Sequence, residues 1–243
     1  MKYDRSVKMY DEGYTPLQLE ELTKSNTLGK GSFIDPFFSS SYMTQMREIY
    51  KLNPARALEI GPGEGFVNNY LSYLGIEYNT LDIKGDPTYK STLEEFDPIK
   101  LELGGSYDLV CCFQMLEHSP YQEFKNNLKK FYFLSNKYVF ISLPYDCVGF
   151  RINFNWHQGQ RKDYKFKFQA HFSKFNKNRK YRDEYIKEFP WAVHYWEIGR
   201  SGYPVKRIKN DILDCGFKIK KIFFQIIRFI ITFFWKKGEL HSP

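Results

Sequence analysis

The chain has 243 residues, of which 42% are hydrophobic and 19% aromatic, a composition that supplies a packed interior and excludes collagenous and low-complexity classes. This length suits one large domain better than two. Lys and Arg outnumber Asp and Glu by 36 to 28, giving a formal net charge of +8. The charge favours acidic partners: nucleic acid, an anionic membrane surface or a phosphorylated small molecule.

The cysteines and the apolar segments indicate where in the cell the protein resides. The four cysteines form no C-x-x-C pair, so neither a disulfide framework nor a zinc site is expected, and no metal is predicted elsewhere. Residues 1–13 carry charges where a signal peptide needs roughly 7–15 apolar residues. The longest apolar segment, residues 222–235, is shorter than the ~20 residues of a spanning helix. We expect a cytoplasmic protein, or one peripheral to the inner face of the membrane.

The first predicted element is a helix over residues 40–52, within an N-terminal helical cap that covers residues 1–53. Pro54 ends this helix. Four apolar residues recur at the spacing of one helical face: Met43, Met46, Ile49 and Tyr50.

From residue 55 onward, short apolar runs alternate with amphipathic stretches, which is the rhythm of parallel strands joined by crossover helices. The strands predicted at 107–113 and 138–143 lack polar alternation, as expected when both faces of a sheet are covered. The other predicted elements are strands at 56–60, 78–82 and, weakly, 89–93, and helices at 65–74, 120–134 and 204–215.

A glycine-rich turn, Gly61-Pro62-Gly63-Glu64-Gly65, joins the strand at 56–60 to the next helix. Glycine has no Cβ and tolerates positive φ, so the backbone of such a turn can approach a ligand closely, and the first helical amides point at that ligand. The spacing is G-x-G-x-G, with Glu59 two residues ahead, and therefore differs from the G-x-G-x-x-G dinucleotide fingerprint. We interpret the turn as a cofactor loop rather than a tight connection.

This E-x-G-x-G-x-G stretch resembles motif I of the class I S-adenosylmethionine-dependent methyltransferases. Further matches follow in the family's order: Asp82 closes the second strand, Asp-Leu-Val leads to Glu117-His118 around the fourth, and residues 138–144 match the fifth. The resemblance implies an α/β, Rossmann-like fold, with a seven-stranded, mostly parallel sheet and helices on both faces, in one domain over residues 1–243. It also implies an enzyme that uses S-adenosylmethionine.

The resemblance further implies which residues hold this cofactor. Glu59 would meet its amino group, the glycines its amino-acid and ribose portions, and the Asp82 carboxylate its ribose diol. The family often places an acidic residue after the third strand to hold adenine, where this chain has Ser91 or Thr92, so the glutamates at 94–95 or backbone amides would serve instead. The implied cofactor-binding residues are Glu59, Gly61, Pro62, Gly63, Gly65, Asp82, Ile83, Gln114 and Met115.

His118, His194 and Glu197 are the candidate catalytic residues. His118 follows the fourth strand, at the sheet edge where ligands bind in doubly wound folds, and both a general base and a structural role remain open for it. His194 and Glu197 belong to an H-x-W-E-I-G stretch similar to one found after the fifth strand of some bacterial methyltransferases. Their i, i+3 spacing predicts one shared helical face. The other three histidines, His157, His171 and His241, are expected to be solvated.

The positive charge is concentrated in a predicted insertion over residues 151–200. Residues 151–187 hold 11 Lys and Arg against 3 Asp and Glu, an excess of eight that equals the net charge of the whole chain. Interleaved aromatics leave three interpretations open: a solvated surface, a lid that recognises an anionic acceptor, or a single-stranded nucleic-acid surface. The position after the fifth strand favours a lid over the acceptor cleft.

Residues 217–237 also allow two interpretations. They follow the helix after which the family places a closing antiparallel hairpin, but no Asn-Gly or Pro-Gly turn separates two strands. Their apolar run with flanking lysines also suits an interfacial segment in peripheral contact with a membrane. We favour a hairpin at the edge of the sheet.

The sequence thus predicts a methyltransferase that acts on a small or lipid-linked, anionic acceptor. A glycan or sugar phosphate is chosen by resemblance to small stand-alone methyltransferases of bacterial surface-polysaccharide pathways. The alternatives are an RNA or protein methyltransferase that uses the insertion, and a catalytically silent subunit that binds the cofactor. Nucleic acid is not favoured, since no RNA-binding module pattern is visible. The acceptor atom and the oligomeric state are not predicted.

Overall fold

The structure, a computed structural model, describes residues 36–63, 65–158, 162–178, 180–181, 183–188, 193–224 and 230–237. The first 35 residues of the predicted N-terminal cap lie outside this part of the chain. The helices are α1 (Pro36–Leu52), α2 (Phe66–Tyr73), α3 (Phe124–Leu134), α4 (Asp183–Glu188) and α5 (Val205–Asp214). The strands are β1 (Arg56–Ile60), β2 (Glu77–Asp82), β3 (Tyr89–Lys90), β4 (Tyr107–Phe113), β5 (Ser135–Pro144), β6 (Cys147–Gln158), β7 (Lys162–Ser173), β8 (Phe217–Phe224) and β9 (Ile230–Lys237).

Seven of these strands form one sheet, in the order β3-β2-β1-β4-β5-β9-β8. β1 pairs in parallel with β2 and with β4, and β4 pairs in parallel with β5. β9 runs antiparallel to both of its neighbours. The predicted seven-stranded, mostly parallel sheet is therefore confirmed.

Helices cover both faces of this sheet. Val110 and Cys112 of β4 belong to one buried cluster, which includes residues of α3 and α5, whereas Leu109 and Cys111 belong to a second cluster with residues of α1 and α2. Successive side chains of a strand point to opposite faces, so the two clusters are the two layers of core. This arrangement explains why the central strands are apolar throughout.

Most predicted element boundaries agree with the structure to within one residue, and a few differ by three or four. β3 is shorter than the predicted strand at 89–93, because the Thr92 hydroxyl accepts a hydrogen bond from the amide of Glu95 (3.1 Å) and begins a turn. The helix predicted over 120–134 is a 3₁₀ turn, Tyr121–Glu123, followed by α3.

The C-terminal hairpin interpretation is confirmed, since β8 and β9 are paired antiparallel strands at the end of the sheet. A helical form of the alternative interfacial segment is wrong for the described residues, because 217–224 and 230–237 are strands whose main-chain groups pair within the sheet. Contact of this hairpin with a membrane surface stays a prediction. Among the described residues, no helix has the length and apolarity needed to cross a membrane.

The predicted insertion contains a two-stranded ribbon, β6 with β7, that is separate from the main sheet. After the ribbon, the chain returns to the end of β5 through residues 193–203. Ile198 is central to this contact: its amide donates to the carbonyl of Pro144 (3.0 Å), and its carbonyl accepts from the amide of Asp146 (2.7 Å). Trp196 in the same segment is buried in the core. The segment thus fixes the ribbon's base to the sheet.

Gly199 allows this segment to pack closely. Its φ is +87°, and a Cβ there would lie 2.4 Å from the main-chain oxygen of Asp146 and 2.7 Å from the Tyr145 ring. We predict that Gly199→Ala lowers the free energy of unfolding by about 3–5 kcal/mol, because both backbone strain and a steric clash must be relieved. Denaturant unfolding followed by circular dichroism measures this change.

Gly202→Ala is the matched control. Gly202 has the same φ of +87°, but a Cβ there meets nothing within 4 Å, so only the left-handed conformation costs free energy, about 1–2 kcal/mol. Equal destabilisation by the two substitutions would show that the contacts with Tyr145 and Asp146 do not constrain Gly199.

Candidate active site

The glycine-rich turn adopts a backbone conformation that favours glycine at each of its three glycines. Gly61, Gly63 and Gly65 have φ values of +66°, +55° and +76°. A Cβ at Gly61 would lie 2.9 Å from Cγ of Met115, whereas one at Gly63 meets nothing within 4 Å. The start of the turn therefore packs against Met115, whereas the space next to Gly63 is open.

Glu59 lies beneath this turn and is buried. One carboxylate oxygen accepts a hydrogen bond from the main-chain amide of Asn68, and the other, Oε2, has no partner among the described residues. Burial raises the pKa of Glu59 to about 8, because removal from water penalises the charged form. A cationic group reaching Oε2 would restore the charged form.

The neighbouring strands bring the other predicted cofactor residues to the same edge of the sheet. Ile60 pairs with Leu81 of β2 and Cys112 of β4, so the residues that follow these strands emerge together. Asp82 ends β2 and accepts a hydrogen bond from the amide of Lys84 (2.9 Å), and the next residue, Ile83, is exposed.

Gln114 and Met115 follow β4. Gln114 has a φ of +53°, a sparsely populated conformation for a non-glycine residue. Its amide donates to the carbonyl of Ser142 (3.1 Å), and its side chain donates to the Ser142 hydroxyl (3.2 Å). These contacts engage the side-chain amide of Gln114. Met115 is the residue of this pair that packs on the glycine turn, at Gly61.

Of the glutamates predicted to replace the missing acidic residue after β3, Glu94 has another partner. Its carboxylate accepts a hydrogen bond of 2.6 Å from the hydroxyl of Ser119. Glu95 is exposed.

His118 and His194 meet beside the turn after β4, with ring centroids 4.9 Å apart. Nδ1 of His118 lies 2.9 Å from the carbonyl of Val193, and Nδ1 of His194 lies 2.8 Å from Oε1 of Glu197. The predicted pairing of His194 with Glu197 is therefore present. The predicted helical face is wrong, because residues 193–199 form no helix and the contact is made within a loop.

Glu117 completes this cluster and was not among the predicted site residues. Its side chain is fully buried, and neither carboxylate oxygen has a hydrogen-bond partner among the described residues. The sequence signal was present, since Glu117 belongs to the Glu-His pair that carries the resemblance. Composition alone does not show that this glutamate is buried.

Burial dominates the electrostatics of the cluster. It raises the pKa of Glu117 to about 7, against an opposing effect of His194. Burial, and then the neighbouring His194, lower the pKa of His118 to about 4, so His118 is neutral near pH 7. The Nε of Arg200 donates to Oε2 of Glu197 (2.7 Å) and holds that carboxylate in place.

The chain matches the family described as "Methyltransferase domain" over residues 40–219. It belongs to this family. It is an S-adenosylmethionine-dependent methyltransferase, and the expected enzyme class and cofactor are confirmed. A comparison with curated proteins found no match.

Solved structures show the same fold at low identity. One is a magnesium protoporphyrin IX methyltransferase from Synechocystis PCC 6803 with bound S-adenosylhomocysteine, which is 12% identical in sequence and has a TM-score of 0.53. The alignment covers 92% of this chain and 95% of that protein. A 1,6-didemethyltoxoflavin-N1-methyltransferase from Burkholderia thailandensis is 11% identical with a TM-score of 0.51, covering 93% and 92%. The acceptors of these two proteins differ, so the shared fold does not specify one.

The residues present fit S-adenosylmethionine. The orphaned Oε2 of Glu59 suits the cofactor's ammonium group, and the open backbone at Gly63 leaves room for a ligand close to the turn. The individual binding roles of the predicted residues stay predictions.

We predict opposite effects of Glu59→Gln on stability and binding. The folded protein holds a proton on Glu59 that the unfolded chain, with a pKa near the ordinary value of 4.5, releases, so the native protein loses stability as the pH rises from about 5 to about 8. The variant avoids this loss, and its Tm advantage without ligand should grow over that interval. Its affinity for S-adenosylhomocysteine should fall about 10- to 100-fold, because a hydrogen bond to a charged group is lost.

Thermal melts at several pH values and calorimetric titration measure the two effects. The control is Glu77→Gln, at the opposite end of β2, where an exposed carboxylate pairs with Arg56. A Tm difference that does not vary with pH, or unchanged ligand affinity, would contradict the assignment of Glu59.

We predict that Gly63→Ala weakens S-adenosylhomocysteine binding by at least about 10-fold, because the added methyl enters space close to the turn. The matched control is Gly75→Ala, which has a φ of +70° and an equally open Cβ position after α2. Both variants should lose about 1–2 kcal/mol of stability to left-handed strain. Calorimetric titration compares them, and equal affinities would show that Gly63 does not approach the ligand.

Proposed function

We propose that this methyltransferase acts on an anionic acceptor that carries an apolar chain, such as a lipid-linked glycan or sugar phosphate. The observation that supports this acceptor is the exposed apolar face of the β6–β7 ribbon, whose base is bonded to the segment that carries His194 and Glu197.

Apolar residues occupy facing positions along the ribbon. The described facing pairs are Val148 with Phe172, Ile152 with Phe168, and Phe154 with Phe166, and each of the six side chains is between 46% and 62% exposed. They all belong to the same alternate set of strand positions, and such positions share one face. Exposed apolar faces of this kind mark binding surfaces.

The charge near this face favours an anionic group on the acceptor. Lys174 and Lys177 are exposed where the chain leaves the ribbon. A surface that combines an apolar face with cations suits an amphipathic ligand with a phosphate or carboxylate head.

The aliphatic members of the face favour a lipid chain over a nucleic acid. Val148 and Ile152 have no π face on which a base could stack, whereas single-strand binding surfaces depend on aromatic stacking. An apolar chain contacts aliphatic and aromatic side chains alike.

Hydrogen bonds connect the ribbon's base to the candidate active site. The amide of Phe175 donates to the carbonyl of Gly199 (2.8 Å), and the amide of His194 donates to the Tyr181 hydroxyl (3.1 Å). The hydroxyls of Tyr145 and Ser173 are 3.0 Å apart. An acceptor chain on the ribbon could therefore lead to a head group near the His118–His194 cluster.

The main contribution of the protein to the reaction is to position the acceptor. S-adenosylmethionine, when bound, supplies an activated methyl group. Orienting the acceptor converts the transfer into an effectively unimolecular step, which can supply much of the rate. We assign this orientation to His118, His194 and Glu197, since the cluster lies next to the residues that pack on the glycine turn.

The acceptor proposal is tested with a panel of anionic glycolipids and their water-soluble head groups, by following production of S-adenosylhomocysteine. The double change Ile152→Ser and Phe168→Ser should raise KM for a lipid-linked acceptor about 10-fold or more, because about 1.5–3 kcal/mol of apolar burial is lost for each fully buried side chain. KM for the corresponding soluble head group should not change.

The control is Ile99→Ser, which removes an exposed isoleucine (70% exposed) away from the ribbon. Equal effects on the lipid-linked and soluble acceptors would contradict a lipid-binding ribbon. Salt-sensitive binding of oligonucleotides together with turnover on RNA would favour the nucleic-acid alternative instead.

A further inference from the structure

We propose that Glu117, His118 and His194 bind a divalent transition-metal ion. One potential ligand atom from each of these side chains lies within 4.8 Å of the others. An ion at their centre would form bonds of about 2.0–2.2 Å if each atom moved inward by less than about 1 Å. Such movement is small for side chains that lie at the end of β4 and in a loop.

The Glu117 carboxylate has no bonded partner among the described residues. It is fully buried and has no hydrogen-bond partner among the described residues, and buried charges are normally paired or bound to metal. The nearby cation of Arg200 is already engaged, 2.7 Å from Glu197 and 3.5 Å from Asp146. A bound metal ion would supply a positive charge next to this carboxylate.

The surroundings of both histidines resemble the outer shell of a metal site. Nδ1 of His194 contacts the carboxylate of Glu197 (2.8 Å), which Arg200 holds in turn. Metal-binding histidines commonly donate their second N–H to a carboxylate or a main-chain carbonyl, which fixes the ring and its tautomer. With Nδ1–H donated to Glu197, Nε2 of His194 keeps the lone pair that a metal needs.

The ring of His118 has a similar arrangement. It has two main-chain carbonyls as neighbours, those of Val193 (2.9 Å from Nδ1) and Gln114. A neutral imidazole has a single N–H and donates to only one of them. Its other nitrogen therefore keeps a lone pair, available to a metal ion.

The ligand set selects the type of metal. Two imidazoles and one carboxylate favour Zn²⁺, Co²⁺ or Fe²⁺ over Mg²⁺ and Ca²⁺, which prefer oxygen ligands. Three protein ligands leave an open position, as in catalytic zinc sites. That position suits an oxygen of the acceptor, an assignment that rests on the proposed function, whereas metal binding itself does not.

The test uses the full chain, freed of metal with a chelator that is then removed. Co²⁺ is titrated while its visible absorption is recorded, and Zn²⁺ and Mg²⁺ are titrated by calorimetry. We expect one Co²⁺ or Zn²⁺ per chain and no saturable binding of Mg²⁺. Glu117→Gln should lower the Co²⁺ affinity more than about 100-fold, and Glu197→Gln, which removes an outer-shell partner, about 10- to 100-fold.

The control is Glu77→Gln, at the end of β2 opposite Asp82. This variant should bind Co²⁺ with the affinity of the native chain. His194→Gln gives the same test as Glu117→Gln if the latter does not fold. Absence of saturable Co²⁺ and Zn²⁺ binding in a folded chain, or equal affinity in the Glu117 and Glu77 variants, would overturn the site and leave a metal-free Glu–His–His cluster. Turnover of the glycolipid panel and of the soluble head groups, followed on the same samples by production of S-adenosylhomocysteine, separates a failure of the metal site from a failure of the proposed function.

Discussion

The parallel pairing of β1 with both β2 and β4 is the constraint on which the active site depends. Because Ile60 lies opposite Leu81 on one side and Cys112 on the other, the chain leaves all three strands at one edge of the sheet. The glycine turn, Asp82 and the turn after β4 therefore converge at this edge. The apolar cores on both faces stabilise this register, since a shift by one residue would turn the buried side chains to the wrong face.

Two buried carboxylates at this edge show that the protein maintains polar groups without full hydrogen bonding. One carboxylate oxygen of Glu59 and both of Glu117 have no hydrogen-bond partner among the described residues, and such groups reduce stability. We propose a positively charged partner for each of them: the cofactor's ammonium for Glu59 and a metal ion for Glu117. Met115, between them in space and sequence, packs on Gly61 and connects the two halves of the site.

The insertion adds the features that a Rossmann-like core does not specify. A fold of this class is used with many acceptors, and the two structural relatives described above illustrate this. Here the 193–203 segment has two functions, because Trp196 and Ile198 anchor it to the core while His194 and Glu197 form the polar cluster. The ribbon is held at its base by the same segment. The base of the ribbon and the polar cluster are thus linked through a few hydrogen bonds.

The sequence by itself determined the strand and helix order, the glycine turn and the family, because these depend on short-range patterns: apolar runs, glycine spacing and the acidic residues that follow strands. Near-continuous apolar strands and a missing turn signal left the C-terminal hairpin open between two interpretations, and only pairing of β9 with β5 decided it. The cluster of Glu117, His118 and His194 could not be read from spacing, because 76 positions separate its two histidines. Their meeting depends on how the 193–203 segment packs against β5, and side chains that come together through long-range packing leave no periodic signal in the chain.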